Sequence, residues 1–315
     1  MSLTKKDKQL LSLLLRSSET SLLHACENFL NEKFGKHNVF ATSDFIYATG
    51  DIPILLVAHL DTVLYKSPII LANKEDTIWM GKEGLGADDR AGVFAILKIL
   101  QAGYKPSVLF TTAEESGGLG AMAFVKDFPE PPVPTKYLIE IDRRGRGQAV
   151  FYGCGNTKFM SYVESFGFKT HKGIFSDISF ICPHWDVAGV NLSAGYYNEH
   201  TELESLKIED LLYTIEGVKK MLDSAGDAEI YSYEAKNLKE AVRTLYCGCQ
   251  ICGNIVPLFS VTNVQGTNVC VNCTNLYVDW CSTCGKPYFI EPTANNKESL
   301  CEECANGLRR DSNTI

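Results

Sequence analysis

The chain has 315 residues, enough for about two domains at roughly 100–200 residues each. At 45% hydrophobic and 22% charged it can fill a core, which excludes wholesale disorder. No apolar run reaches the roughly 18 residues needed to cross a membrane. A net charge of −8 argues against nucleic acid as the main partner, because that binding depends on neutralising phosphates.

In chain order, MSLTKKDKQLLSLLLRSS comes first. Asp7 interrupts its lysines, the leucine run is short and no small-residue cleavage site follows. It reads as an amphipathic helix rather than a signal peptide, so a cytoplasmic location is expected. Leu10, Leu11, Leu14, Leu22, Leu23 and Phe29 carry one or two opening helices. Apolar runs then alternate with helical stretches: IPILLVAH, AGVFAILKIL, SVLFTT, KYLIEID, QAVFYG, AGVNLSAGYY and a closing helix, LKIEDLLYTIEGVKKML. Strands separated by helices predict an α/β domain over residues 1–224, a mostly parallel mixed sheet between helices.

In such sheets functional groups gather at the carboxyl ends of the strands. His59 and Asp61 follow ILLVA, Glu114 and Glu115 follow VLFTTA, and Asp142 follows YLIEI. Asp88 and Asp89 lie in GLGADDRAG, a glycine-rich loop opening a helix, and His200 lies in NEHTELES before the last helix. For any one of these, a wet strand end explains the charge as well as function does. Five separate segments all carrying His, Asp or Glu suit a pair of zinc-like cations. The GLG at 84–86 lacks the glycine spacing of a dinucleotide site.

Taken in order, VAHLDTV, GADDRAG, TTAEESG, EIDRRG and NEHTELE resemble the co-catalytic dizinc metallopeptidase clan, which includes tripeptidase T, glutamate carboxypeptidase and several aminopeptidases. The resemblance covers roughly residues 15–222. It implies His59, Asp88 and Asp142 on one zinc (or cobalt or manganese) ion and Asp88, Glu115 and His200 on a second, with Asp88 bridging. It implies Asp61 holding the His59 imidazole and Glu114 as general base. Asp89 is then a helix N-cap or first-turn acid. Glu204 matches the His-Thr-x-x-Glu ending of the family and is a candidate to orient the site. Many clan members insert a lid domain before the last ligand. The 57 residues between Asp142 and His200 leave no room for one beside the strands and helix they must supply. Asp at the fourth ligand favours an aminopeptidase over a carboxypeptidase. Arg143 and Arg144 suit either a substrate carboxylate or charge balance. Asp177, beside Ser176, suits either a substrate amine or a turn cap.

Residues 225–245 are polar, with AKNLKEAVRTLY patterned as an exposed connecting helix. Nine of the 12 cysteines then fall between Cys247 and Cys304. Eight form CxxC pairs: Cys249–Cys252, Cys270–Cys273, Cys281–Cys284 and Cys301–Cys304. Such pairs chelate structural zinc in small folds, and eight thiolates make two closed sites. CQICG recurs as CSTCG and VCVNC as LCEEC, so residues 246–308 read as a tandem zinc-ribbon-like domain before a tail at 309–315. Pairs one and two share one zinc and pairs three and four the other; a cross-braced pairing is the rival. Cys247 is left over. Four closed thiolates leave no position open for catalysis, and from Cys247 onward four Lys or Arg face six Asp or Glu. Protein docking and simple stabilisation both suit this domain.

The expected activity is metal-dependent hydrolysis of short peptides, with an aminopeptidase favoured. The alternatives are a deacylase or carboxypeptidase acting on N-acyl amino acids, and a non-catalytic zinc-ribbon adaptor. Assembly into a homo-oligomer is left open.

Overall fold

The computed structural model describes residues 3–64, 67–72, 77–236, 246–257, 261–264, 266–290, 300–301 and 304–305. It divides into two compact units, Met1–Leu238 and Lys239–Ile315.

The first unit opens on two helices, α1 (Lys5–Arg16) and α2 (Glu19–Phe34). Thr4 starts α1 with a capping box in which its hydroxyl accepts the Asp7 N–H and Asp7 takes the Thr4 N–H in return. Ser18 caps α2. Next come β1 (Val39–Ala41), β2 (Phe45–Ala48), β3 (Ile52–His59), β4 (Ile70–Ala72), β5 (Ile78–Gly81), α3 (Ala87–Gln101), β6 (Pro106–Thr111) and α4 (Leu119–Asp127). The unit continues through β7 (Tyr137–Arg143), β8 (Gln148–Val150), α5 (Thr157–Glu164), β9 (Lys169–Thr170), α6 (Ile178–Trp185), β10 (Gly189–Ser193), β11 (Tyr196–Tyr197), β12 (Ser205–Lys207) and α7 (Ile208–Asp223).

Eight strands form one mixed sheet in the order β1-β2-β6-β3-β7-β10-β8-β9. Its centre is parallel: β6, β3, β7 and β10 all run one way. These strands are buried on both faces, which is why IPILLVAH and SVLFTT read as unbroken apolar runs rather than alternating ones. Ile54, Leu56 and Ala58 pack into the core shared with α1, α2, α3 and α7. On the other face α4 packs on α6, and Phe124 rings meet Phe45, Tyr47 and Trp185. A smaller sheet, β11-β12-β5-β4, lies apart from the main one in hydrogen bonding. Residues 143–199 supply β8, β9, β10, α5 and α6 of this same unit, so the expected absence of an inserted lid matches the described residues.

The expected helical connection at 225–245 is corrected in its first half. Residues 227–234 have no helix; Tyr231 is buried against Tyr137, Phe159 and Tyr162, and Ala235 bridges to Cys154. Aromatic burial outweighs the polar composition of this stretch. Residues 237–245 lie outside the described residues.

Among its described residues the second unit has three hairpins. These pair β13 (Tyr246–Gly248) with β14 (Ile255–Pro257), β15 (Val261–Val264) with β16 (Thr267–Cys270), and β17 (Val278–Trp280) with β18 (Pro287–Phe289). A short helix, α8 (Val271–Tyr277), links the second hairpin to the third. Its buried clusters are small and centred on cysteines.

Candidate metal centre

The parallel strands end together, and the acidic segments meet there. His59 closes β3 and is wholly buried. Its Nδ1 lies 3.2 Å from Asp61 Oδ1. Asp61 also accepts the N–H groups of Glu114 and Glu115, each at 3.1 Å, and so ties the end of β3 to the turn after β6. On the other side of the ring, Nε2 of His59 is 3.2 Å from Asp88 Oδ1, 3.5 Å from Asp142 Oδ1 and 4.0 Å from Glu114 Oε2. The second oxygen of Asp88 faces His200, with Oδ2 3.2 Å from Nε2. His200 Nε2 is also 2.8 Å from Glu115 Oε1. The Asp88 carboxylate therefore lies between the two imidazoles, one oxygen to each. His59, Asp88 and Glu115 offer donor atoms within 4.8 Å of one another, as do His59, Asp89 and Asp142.

The electrostatics are those of a buried cluster rich in carboxylates. Burial, reinforced by Asp142, Asp177 and Asp88, pushes the Glu114 carboxyl up to about 9. Burial and the adjacent Asp88 raise Asp142 to about 6. Hydrogen bonds to Asp88 and Glu115 raise His200 to about 10. Burial opposes charge on His59, yet Asp142, Asp61 and Asp88 hold its pKa well above the usual value. Buried carboxylates at this density need cations beside them. With two imidazoles among them, the donor set fits borderline divalent metals.

Neighbouring groups fix these candidate ligands. Glu204, buried, accepts four successive backbone N–H groups: Leu85 and Gly86 on Oε2 at 3.0 and 2.6 Å, Ala87 and Asp88 on Oε1 at 2.8 and 3.1 Å. Asp89 takes the Gly92 N–H at 2.9 Å and the His59 N–H at 3.3 Å, the capping geometry expected for it. Four contributors, Asn191, Glu140, Tyr196 and Arg90, were not singled out from sequence. Asn191 accepts the Asp142 N–H on its amide oxygen at 2.9 Å, and Ser176 donates to Glu140 and to Asp142. Tyr196 donates to the Asp142 backbone and carboxylate. Arg90, 2% exposed, donates to the Leu14 and Ser17 carbonyls at the end of α1 and brings a buried cation near Asp61 and Asp89. A polar Asn or Glu inside an apolar strand, as at Asn191 and Glu140, was the visible signal for two of these sites.

The cleft above has a volume of about 340 Å³ and includes Glu114, Arg143, Arg144, Tyr152, Phe175 and Glu199 in its lining. Arg143 is braced by Gln148 and the Lys172 carbonyl, and Arg144 pairs with Glu199 at 2.7 Å. Asp177 is corrected as a substrate contact. It is wholly buried, hydrogen-bonded to Thr111 Oγ1 and absent from the cleft lining.

In the second unit the sulfurs fall into two groups, Cys249, Cys252, Cys270 and Cys273, and Cys281, Cys284, Cys301 and Cys304. This is the sequential pairing, not the cross-braced one. Within each first pair the glycine N–H donates to the first cysteine carbonyl at 2.8 Å, Gly253 to Cys249 and Gly285 to Cys281. Both glycines have positive φ, 74° and 70°, which a side chain would strain. The Cys247 side chain lies outside the described residues.

The model of peptidase family M28 matches residues 38–175, which takes in every candidate ligand except His200. Solved structures share the fold. A TET aminopeptidase from a marine-sediment Thaumarchaeota archaeon superposes with a TM-score of 0.56 at 11% identity, covering 76% of this chain and 100% of its own. A tripeptidase from Staphylococcus aureus gives 0.52 at 15%, covering 70% and 97%. The aminopeptidase PepT from Bacillus cereus gives 0.50 at 17%, also covering 70% and 97%. No curated protein matches. Family match and fold together support a metallopeptidase activity. Residues 38–175 thus match the model of peptidase family M28, and the first unit has the fold of these solved peptidases.

Proposed function

We propose that the first unit is a dizinc aminopeptidase acting on short peptides. The observation that carries this reading is the Asp88 carboxylate, one oxygen toward His59 and the other toward His200. His59, Asp88 and Asp142 would hold one ion, and Asp88, Glu115 and His200 the other. Ions held there would lower the pKa of a bound water and polarise a carbonyl. Glu114 takes the water's proton as the oxygen adds to the amide carbon, then delivers it to the departing amine. Asp61 keeps the His59 ring oriented and the 114–115 turn in place. Arg143, exposed to the cleft, favours a second reading in which a substrate carboxylate is gripped and N-acyl amino acids are cleaved.

The discriminating assay offers free-amino and N-acetylated dipeptides to chain loaded with zinc, cobalt or manganese. The aminopeptidase reading predicts turnover of the free-amino set at least about tenfold faster, the difference a single charge-assisted contact supports. Faster turnover of the acetylated set favours the deacylase. Turnover of neither, with metal bound, leaves the adaptor.

The cysteine clusters of the second unit would each hold a structural zinc. Backbone N–H groups of Cys301 and Cys284 draw Cys281 down to about 6, and those of Cys270 and Cys252 do the same for Cys249 against the effect of burial. A thiol with a lowered folded pKa adds stability that is complete above its ordinary value of 9.0 and is lost as pH falls through about 6. Metal release and loss of amide chemical-shift dispersion in this unit are expected over that fall, and on chelation at neutral pH. Dispersion retained after chelation contradicts the assignment.

A further inference from the structure

We propose that a second cavity of the first unit binds one free α-amino acid, its carboxylate on Arg90 and its ammonium on Glu19. The cavity has a volume of about 260 Å³ and is lined from the end of α1, the start of α2 and the segments around Thr62 and Ser67. Among the described residues, none lines both this cavity and the cleft over the metal centre. The binding is independent of the peptidase reading, and either can fail alone.

Arg90 supplies the group for the carboxylate. Its side chain is 2% exposed and forms part of the cavity wall. Nη1 is committed to the Leu14 and Ser17 carbonyls, at 2.8 and 3.0 Å, which fixes the guanidinium fork. Nε is buried and has no acceptor among the described residues. Leaving a buried N–H unpaired is unfavourable, and the Nε edge of a guanidinium suits a carboxylate through two parallel hydrogen bonds.

Glu19 supplies the opposite charge. It opens α2 behind its cap, Ser18, and lines the same cavity. Its half-buried carboxylate has no hydrogen bond or ion pair among the described residues. Burial and the charge of Asp61 hold its pKa above the usual value, against the pull of Arg90 and His59. An ammonium beside it would favour the ionised form. Glu19 is foremost among the charges that act on Arg90, so the two are neighbours, yet no direct ion pair joins them.

Two opposite charges on one cavity, neither closed on the other, select a zwitterion. A simple anion would meet the Glu19 carboxylate, and a simple cation would meet the Arg90 guanidinium. The volume lies below the roughly 300–1,000 Å³ of sites for larger ligands, which fits one amino acid and leaves no room for a peptide. Leu15, Leu64 and Pro68 make the rest of the wall apolar, so an apolar side chain is preferred. Ser18 is exposed and lines the cavity, which places the entrance at the start of α2.

The test uses the zinc-loaded full chain with L-methionine as the probe. Calorimetry compares it with N-acetylmethionine, which has no ammonium, and methioninamide, which has no carboxylate. Both are expected to bind at least about tenfold more weakly, the factor that one charge-assisted contact supports. Glu19→Gln keeps the shape of the wall and should weaken methionine by the same factor while leaving N-acetylmethionine unchanged. Arg90→Gln also removes the bonds that hold the end of α1, so Glu19→Gln carries the test. Crystals soaked in L-selenomethionine locate the ligand, with a selenium anomalous peak expected beside Leu15, Leu64 and Pro68. A methionine affinity of the Glu19→Gln chain within twofold of the parent overturns the proposal. A selenium peak only over the metal centre overturns it too, since the amino acid is then held in the cleft. No measurable binding by the parent does the same, a peak in the soaked crystal then being binding at crystal concentration only.

Discussion

Glu114→Gln lowers kcat by about 10²–10⁴-fold while the chain retains its metal, the range expected for removing a positioned general base. Glu114 is buried and lines the cleft, and its Oε2 sits 4.0 Å from His59 Nε2. Its backbone is anchored by Asp61, so the side chain is aimed from a fixed point. Burial and three neighbouring carboxylates push its pKa to about 9, and cations bound beside it would oppose that repulsion. Glutamine preserves shape and hydrogen bonding but cannot take a proton. Neighbouring Glu115 faces His200 instead, so the two acids have different duties despite their adjacency. Steady-state kinetics with metal analysis of the same sample checks this, and full turnover by the variant excludes Glu114 as the base.

Glu204→Ala is expected to weaken both the fold of the first unit and its grip on metal. One carboxylate satisfies four consecutive N–H groups on the loop that carries Asp88. Alanine leaves those donors without their acceptor, and each buried donor so stranded costs about 1–3 kcal/mol. Water entering the space recovers part of this, so a loss of at least about 3 kcal/mol is expected. Metal affinity falls as well, because the Asp88 loop is no longer fixed before binding. Glu204→Gln should lie between, since its NH₂ turns one set of donors against another. Denaturation followed through the buried Trp79 and Trp185, with metal titration alongside, reads both effects. A change under about 0.5 kcal/mol would show that the loop is held by other contacts.

The sequence made the ligand segments and the central strands legible for a physical reason. Parallel strands buried on both faces read as long apolar runs, and function collects where those runs end. IPILLVAH is β3 residue for residue. The supporting network was harder to see, because its members act through long-range contacts. Asn191 and Glu140 interrupt apolar strands, and only the sheet register shows that both face Asp142. Arg90 reads as a surface arginine in GADDRAG, yet the helix it opens turns it inward under α1. Asp177 misled for the opposite reason, since a Ser-Asp pair near the pocket in sequence terms is buried beneath it in space. In the second unit, the CxxC spacing and the repeat gave the grouping of cysteines, because thiolate chelation depends on short local loops.

The reading as a whole turns on whether two cations flank Asp88. Anomalous diffraction at the zinc edge, from crystals of the full chain loaded with zinc, measures this directly. The account predicts two peaks about 3.5–4 Å apart, one beside His59 and Asp142 and the other beside Glu115 and His200, in addition to one in each cysteine cluster. A single peak at the strand ends, or density confined to the cysteines, would contradict it.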